Sequence, residues 1–64
     1  MTYNDLHDRA VDLLRQYGDA ASYHAASKAD EAFARGDSDT QRIWISVLKL
    51  VEQIDRIGEA SLVQ

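Results

Sequence analysis

From Tyr3 onward, apolar side chains return at every third or fourth position: Tyr3, Leu6, Ala10, Leu13, Leu14 and Tyr17. At about 100° per residue these fall in one stripe, so the spacing predicts an amphipathic helix over residues 3–17. Thr2 followed three positions later by Asp5 has the form of a capping box, with Asn4 as a competing N-cap. Gly18 supplies the residue on which helices commonly end, and Asp19 stands where a second helix would take its N-cap. The stretch that follows is rich in alanine. Ala21, Ala25, Ala26, Ala29, Ala32 and Phe33 form a shallow apolar arc that lets another helix come close, with Phe33 as its one large anchor. Helix is expected over 19–35.

Gly36, Asp37, Ser38 and Asp39 read as a stop followed by a start. Glycine ends one helix, Asp37 or Ser38 caps the next, and Ser38 with Gln41 has capping-box spacing. A third helix is expected over 38–57, closed by Gly58. Residues 59–64 then form a flexible tail, with Leu62 and Val63 its only apolar contacts, beyond a single helical domain of residues 1–58. The predicted fold is all-α, a three-helix mini-bundle. A competing register runs through the same residues, because Ala26, Ala29, Phe33, Gly36, Thr40, Ile43, Val47, Leu50, Ile54 and Ile57 alternate by three and four without a break. Its product is a helical hairpin or coiled-coil homodimer built on a continuous 19–57 helix. Against it, glycine inside a helix costs about 1 kcal/mol, and the neighbouring Asp and Ser prefer caps to helix middles.

The third helix carries more apolar surface than one neighbour covers. Ile43, Trp44, Val47, Leu48, Leu50, Val51, Ile54 and Ile57 span about half of the helical circumference, with Ile45 beyond that arc beside Glu52. A central helix packed by two others uses such an arc entirely as core. Alternatively Trp44, Ile45 and Leu48, with Val51 and Phe33, form a partner-binding surface, where the single Trp would be the natural hot spot.

Composition narrows the functional classes. One core serves all 64 residues, and a core of that size rarely supplies more than roughly 3 to 5 kcal/mol without a disulfide, a metal or a partner. Cysteine is absent, so neither disulfides nor thiolate chemistry is available. The first residues carry Asp5, Asp8 and Asp12 and no apolar run of signal-peptide length, and no stretch approaches a membrane span; a cytoplasmic location is the expectation. A net charge of −4 repels nucleic acid and anionic membrane at long range. Arg42, Lys49 and Arg56 nevertheless line one side of the third helix, with Ser46 and Gln53 between them. That ridge is the one feature of a nucleic-acid-binding helix, and no aromatic side chain interleaves it.

Most remaining charges are spaced to pair along helix faces: Asp5 with Arg9, Asp12 with Arg15, Glu31 with Arg35, Asp39 with Arg42, and Glu52 with both Lys49 and Arg56. No nucleophile elbow, phosphate loop or zincin pattern occurs, so no catalytic residue, cofactor or small-molecule substrate is expected. His7 and Asp8 are neighbours that point apart on a helix. His24 lies on a polar strip with Lys28, Glu31 and Arg35, and with Glu31 it would leave most of a metal's coordination sphere unfilled, so no metal is expected either. Tyr17 is placed to cover the core at the first turn, and Tyr23 lies off the alanine arc.

Ala29-Asp30, Gly36-Asp37, and Trp44 followed by Val47-Leu48, Val51 and Ile54 resemble the core of a family of short helical proteins common in alphaproteobacteria, a domain of unknown function. The resemblance covers residues 13–54. It implies a bacterial cytoplasmic origin and brings no catalytic motif. The function expected is a non-catalytic interaction module, an accessory subunit, adaptor or inhibitor whose acidic flanks steer it to a basic protein surface. A self-assembling homo-oligomer is the alternative, and nucleic-acid binding a minor one.

Overall fold

The computed structural model describes the backbone of residues 2–63 and the side chains of residue 2 and residues 4–56. It is all-helical, with no strand among the described residues: α1 (Tyr3–Tyr17), a 3-10 turn (Gly18–Ala20), α2 (Ala21–Ala34) and α3 (Ser38–Val63). α3 packs against both α1 and α2, most extensively against α2.

α1 begins on the capping box its sequence announces. The Thr2 hydroxyl accepts from the Asp5 N–H and the Asp5 carboxylate accepts from the Thr2 N–H, both at 3.3 Å. Two N–H groups that the first helical turn leaves orphaned are thereby met. The helix ends at Gly18, whose φ of 54° and ψ of −123° favour glycine, and whose N–H donates to the Leu14 carbonyl. Asp19 does not cap α2. The chain first tightens into a 3-10 turn in which the Ala21 N–H bonds the Gly18 carbonyl, which puts Asp19 inside the turn. Ala20 is the N-cap of α2 and offers no side-chain acceptor.

The α2–α3 turn is closed far more completely. The Gly36 N–H donates to the Phe33 carbonyl at 3.0 Å and the Asp37 N–H to the Ala32 carbonyl at 2.9 Å. These are the paired bonds of a Schellman motif, with Gly36 at φ 75° in the position that needs a positive angle. Asp37 then caps α3: its carboxylate accepts from the Thr40 N–H at 3.1 Å and its carbonyl from the Gln41 N–H at 3.0 Å. Ser38 and its capping-box partner Gln41 are not used for this. The continuous 19–57 helix is thereby overturned, because the residues that preserve the heptad spacing also complete a C-cap and an N-cap. α3 in turn does not stop at Gly58 but runs to Val63. An isolated glycine costs about 1 kcal/mol in a helix, and Glu59 and Ala60 favour continuation where no capping residue follows Gly58 at once. The side chains of Ile57, Leu62 and Val63 lie outside the described residues.

The core gathers Ala10 and Leu13 from α1, Ala21 and Ala25 from α2, and Val47, Leu50 and Val51 from α3. Leu6, Leu14, Trp44, Leu48 and Ile54 pack partly buried around it. The buried α2 residues, Ala21, Ala25, Ala29 and Ala32, are all alanines. Small side chains at spacings of four, four and three bring the backbone of α2 close to α3, and Val47 and Val51 are the largest fully buried side chains. Phe33 does not anchor α2: it is 70% exposed. With Ala29 and Ala32 buried, the helical turn carries Phe33 to the flank of that face.

Candidate interaction surface

The outward side of α2 is the most exposed apolar feature among the described residues. Because alanines occupy the α3 side, the helical period turns Tyr23, Ala26, Asp30 and Phe33 outward in one stripe at spacings of three, four and three. Tyr23 is 78% and Phe33 70% exposed. Ala26 is half-buried between them, and Asp30 is exposed and makes no ion pair with any described residue. The ion pair that does form on α2, Lys28 Nζ to Glu31 Oε2 at 3.6 Å, lies on the other side of the helix from this stripe.

The apolar face of α3 is drawn further into the chain than its breadth suggested. Val51 is 2% exposed and belongs to the core. Trp44 and Leu48 are half-buried against the same cluster. The Arg9 guanidinium of α1 lies over the Trp44 ring, 5.5 Å from its centroid, a cation–π contact that covers part of the indole. Ile45 is half-buried and projects nearly opposite Val47 around the helix. Of the five expected partner-binding residues, only Phe33 is in the exposed class. Trp44, Leu48 and Val51 share the interior cluster, and Phe33 stands apart on α2.

Between α1 and α3 runs an open groove of about 550 Å³. Leu6 and Leu50 supply its apolar lining, with Lys49 and Arg56 as cations, Ser46 and Gln53 as neutral polar groups, and Glu52 as the single carboxylate. It is not an enclosed cavity but lies open on the surface. Two members of the basic ridge, Lys49 and Arg56, thus border an apolar trough. Arg42, also exposed, is not part of it.

None of the six expected charge pairs closes to an ion pair. Asp5 is engaged by the Thr2 N–H, and Arg9 by Trp44. Exposed partners three or four residues apart gain too little in water to hold two long side chains in one geometry. His24 is not the freely exposed residue its polar strip suggested. Its ring stacks on Tyr17, centroids 4.2 Å apart at 17°, joining the end of α1 to the start of α2. Tyr17 is accordingly spent on that junction and stays 43% exposed instead of covering the core. No group of three or more His, Cys, Asp or Glu side chains that could hold a metal gathers among the described residues. The Asp37 carboxyl is held below the usual carboxylate range by its hydrogen bonds to Thr40, with a smaller contribution from the Arg35 charge. That is the behaviour of a helix cap.

No family model matches the chain, and neither a curated protein nor a solved structure matches it. Phe33 was already among the expected partner-binding residues; what the sequence did not yield was its pairing with Tyr23, although the spacing carried a legible signal. The two stand ten positions apart, on the side of α2 opposite or flanking the alanines.

Proposed function

We propose that the chain is a non-catalytic protein-interaction module, a helical mini-bundle that docks through the outward face of α2. The observation that carries this reading is the exposure of two large aromatic side chains, Tyr23 and Phe33, on one stripe of a chain whose own core on that helix is alanine. A folded chain gains nothing from holding a Phe ring in water, whereas aromatic residues are the usual anchors of protein interfaces. The half-buried edges of Trp44 and Leu48 on α3, with Ile45, are a subsidiary surface, since the inner faces of Trp44 and Leu48 are already packed on the core.

The test separates binding from folding. The double variant Tyr23→Ser, Phe33→Ser removes only exposed apolar surface, so it is expected to keep the helical circular dichroism and melting temperature of the native chain. Proteins captured from the native host by the wild-type chain should be lost by this variant. Capture of the same proteins by both chains, with the variant folded, would refute the assignment of the surface to α2.

A further inference from the structure

We propose that the α2 stripe docks into the groove between α1 and α3 of a second copy of this chain, head to tail. This rests on the α2 face being the docking surface.

The two surfaces complement one another in length, polarity and charge. Tyr23 and Phe33 are ten residues apart on α2, and Ser46 and Arg56 are ten residues apart along the groove edge on α3, roughly 15 Å in each case at the helical rise. The aromatic rings meet the Leu6 and Leu50 floor. The Asp30 carboxylate, unpaired among the described residues, meets Lys49 and Arg56, which make no ion pair with any described residue either. On the α3 wheel Glu52 stands farthest from Leu50, at the outer margin of the groove, so the cations lie between it and the floor.

The same charges select against a symmetric arrangement. Packing α2 against α2 of another copy would place Asp30 in a stripe with no cation to receive it, since the stripe holds only tyrosine, alanine, aspartate and phenylalanine. Docking stripe into groove is a heterologous contact, which uses two different patches and extends from copy to copy unless its rotation closes a ring. Two aromatic side chains bring about 300–500 Å² to the contact, which puts it at the weak, concentration-dependent end of protein association.

Sedimentation of four chains tests this: wild type, Asp30→Lys, the double variant Lys49→Glu, Arg56→Glu, and Tyr23→Ser, Phe33→Ser. All substituted positions are exposed, and circular dichroism verifies that each variant folds. The wild type is expected to exceed the 7.2 kDa of one chain by twofold or more as concentration rises at low salt, and to fall back at high salt. Each variant alone is expected to stay at one chain's mass. Mixing Asp30→Lys with Lys49→Glu, Arg56→Glu should restore association, because each stripe then finds a groove of opposite charge. A wild type that remains at 7.2 kDa at every concentration overturns self-docking, while the host-capture comparison still judges the α2 surface independently. Association that the serine variant abolishes but both charge variants retain overturns the head-to-tail geometry.

Discussion

Two glycines with positive φ divide this chain, and they close their turns by different means. At Gly36 the local sequence satisfies the backbone almost by itself: a Schellman pair ends α2, and the next residue, Asp37, both donates to Ala32 and caps α3. At Gly18 the chain passes through a 3-10 turn into a helix with no side-chain cap, and the junction is joined by the Tyr17–His24 stack. The position where the heptad spacing runs unbroken is therefore the better-built turn. The position where two stripes plainly fail to continue each other relies more on contacts between side chains. Hydrophobic periodicity records where side chains point, but it is blind to whether the backbone between them has partners for its N–H and carbonyl groups.

Leu13 is 6% exposed in the core where α1 joins the other helices. Leu13→Ala should cost about 2–5 kcal/mol, comparable with the whole stability of so small a core, so thermal unfolding should shift by more than 10 °C or lose cooperativity. An unchanged melt would mean that α1 is not part of the cooperative unit.

Substitution at the two glycines sharpens the contrast. An alanine at either meets no atom within 4 Å, so its cost is backbone strain alone, of about 1–3 kcal/mol. Gly36→Asn should recover much of the loss of Gly36→Ala, because asparagine tolerates the left-handed helical region that a Schellman turn requires. Gly18→Asn should recover little, since ψ of −123° at Gly18 lies outside that region. Equal recovery at both sites, measured by chemical denaturation, would erase the distinction drawn between the turns.

Asp37→Ala removes the cap of α3, and its effect should depend on pH in a defined direction. The Asp37 pKa is lowered in the folded chain, chiefly by its hydrogen bonds to Thr40. Its stabilisation is therefore fully present above the unfolded-state value of about 3.9 and is lost as pH falls through the lower folded value. The difference in melting temperature between wild type and variant should shrink in acid. A difference that grows in acid contradicts the cap assignment. The smallest effect is expected at the other junction, where Tyr17→Ala removes a stacked, partly exposed pair worth roughly 0.5–1.5 kcal/mol. Hydrogen exchange should quicken in the first turns of α2 and leave the α2–α3 turn unchanged.

The helices and their first cap were legible because each rests on neighbours in sequence: Thr2 with Asp5, and the apolar stripe from Leu6 to Leu14. Asp37 was one of two named candidates for the α3 cap, and only the geometry of the turn decides between it and Ser38. Phe33 was misread because its spacing joins it to the alanines, while its burial depends on how close α3 comes, which small side chains set in three dimensions. Nothing in the sequence of α3 reports that Arg9 of α1 comes to lie over the Trp44 ring. The groove was invisible for the same reason, its floor being shared between Leu6 and Leu50 from different helices.

The fold-back at Gly36 is what buries the alanines of α2 and leaves Tyr23 and Phe33 outward. With no native cysteine, spin labels can be placed singly at Asp19→Cys and Gln53→Cys, both exposed positions. A pulsed dipolar measurement in excess unlabelled chain then reads their separation within one molecule. The folded-back chain, only 23 Å and 16 Å across its shorter dimensions, predicts a distance below about 30 Å; a continuous helix would place the two labels roughly 50 Å apart at 1.5 Å per residue and contradict the account.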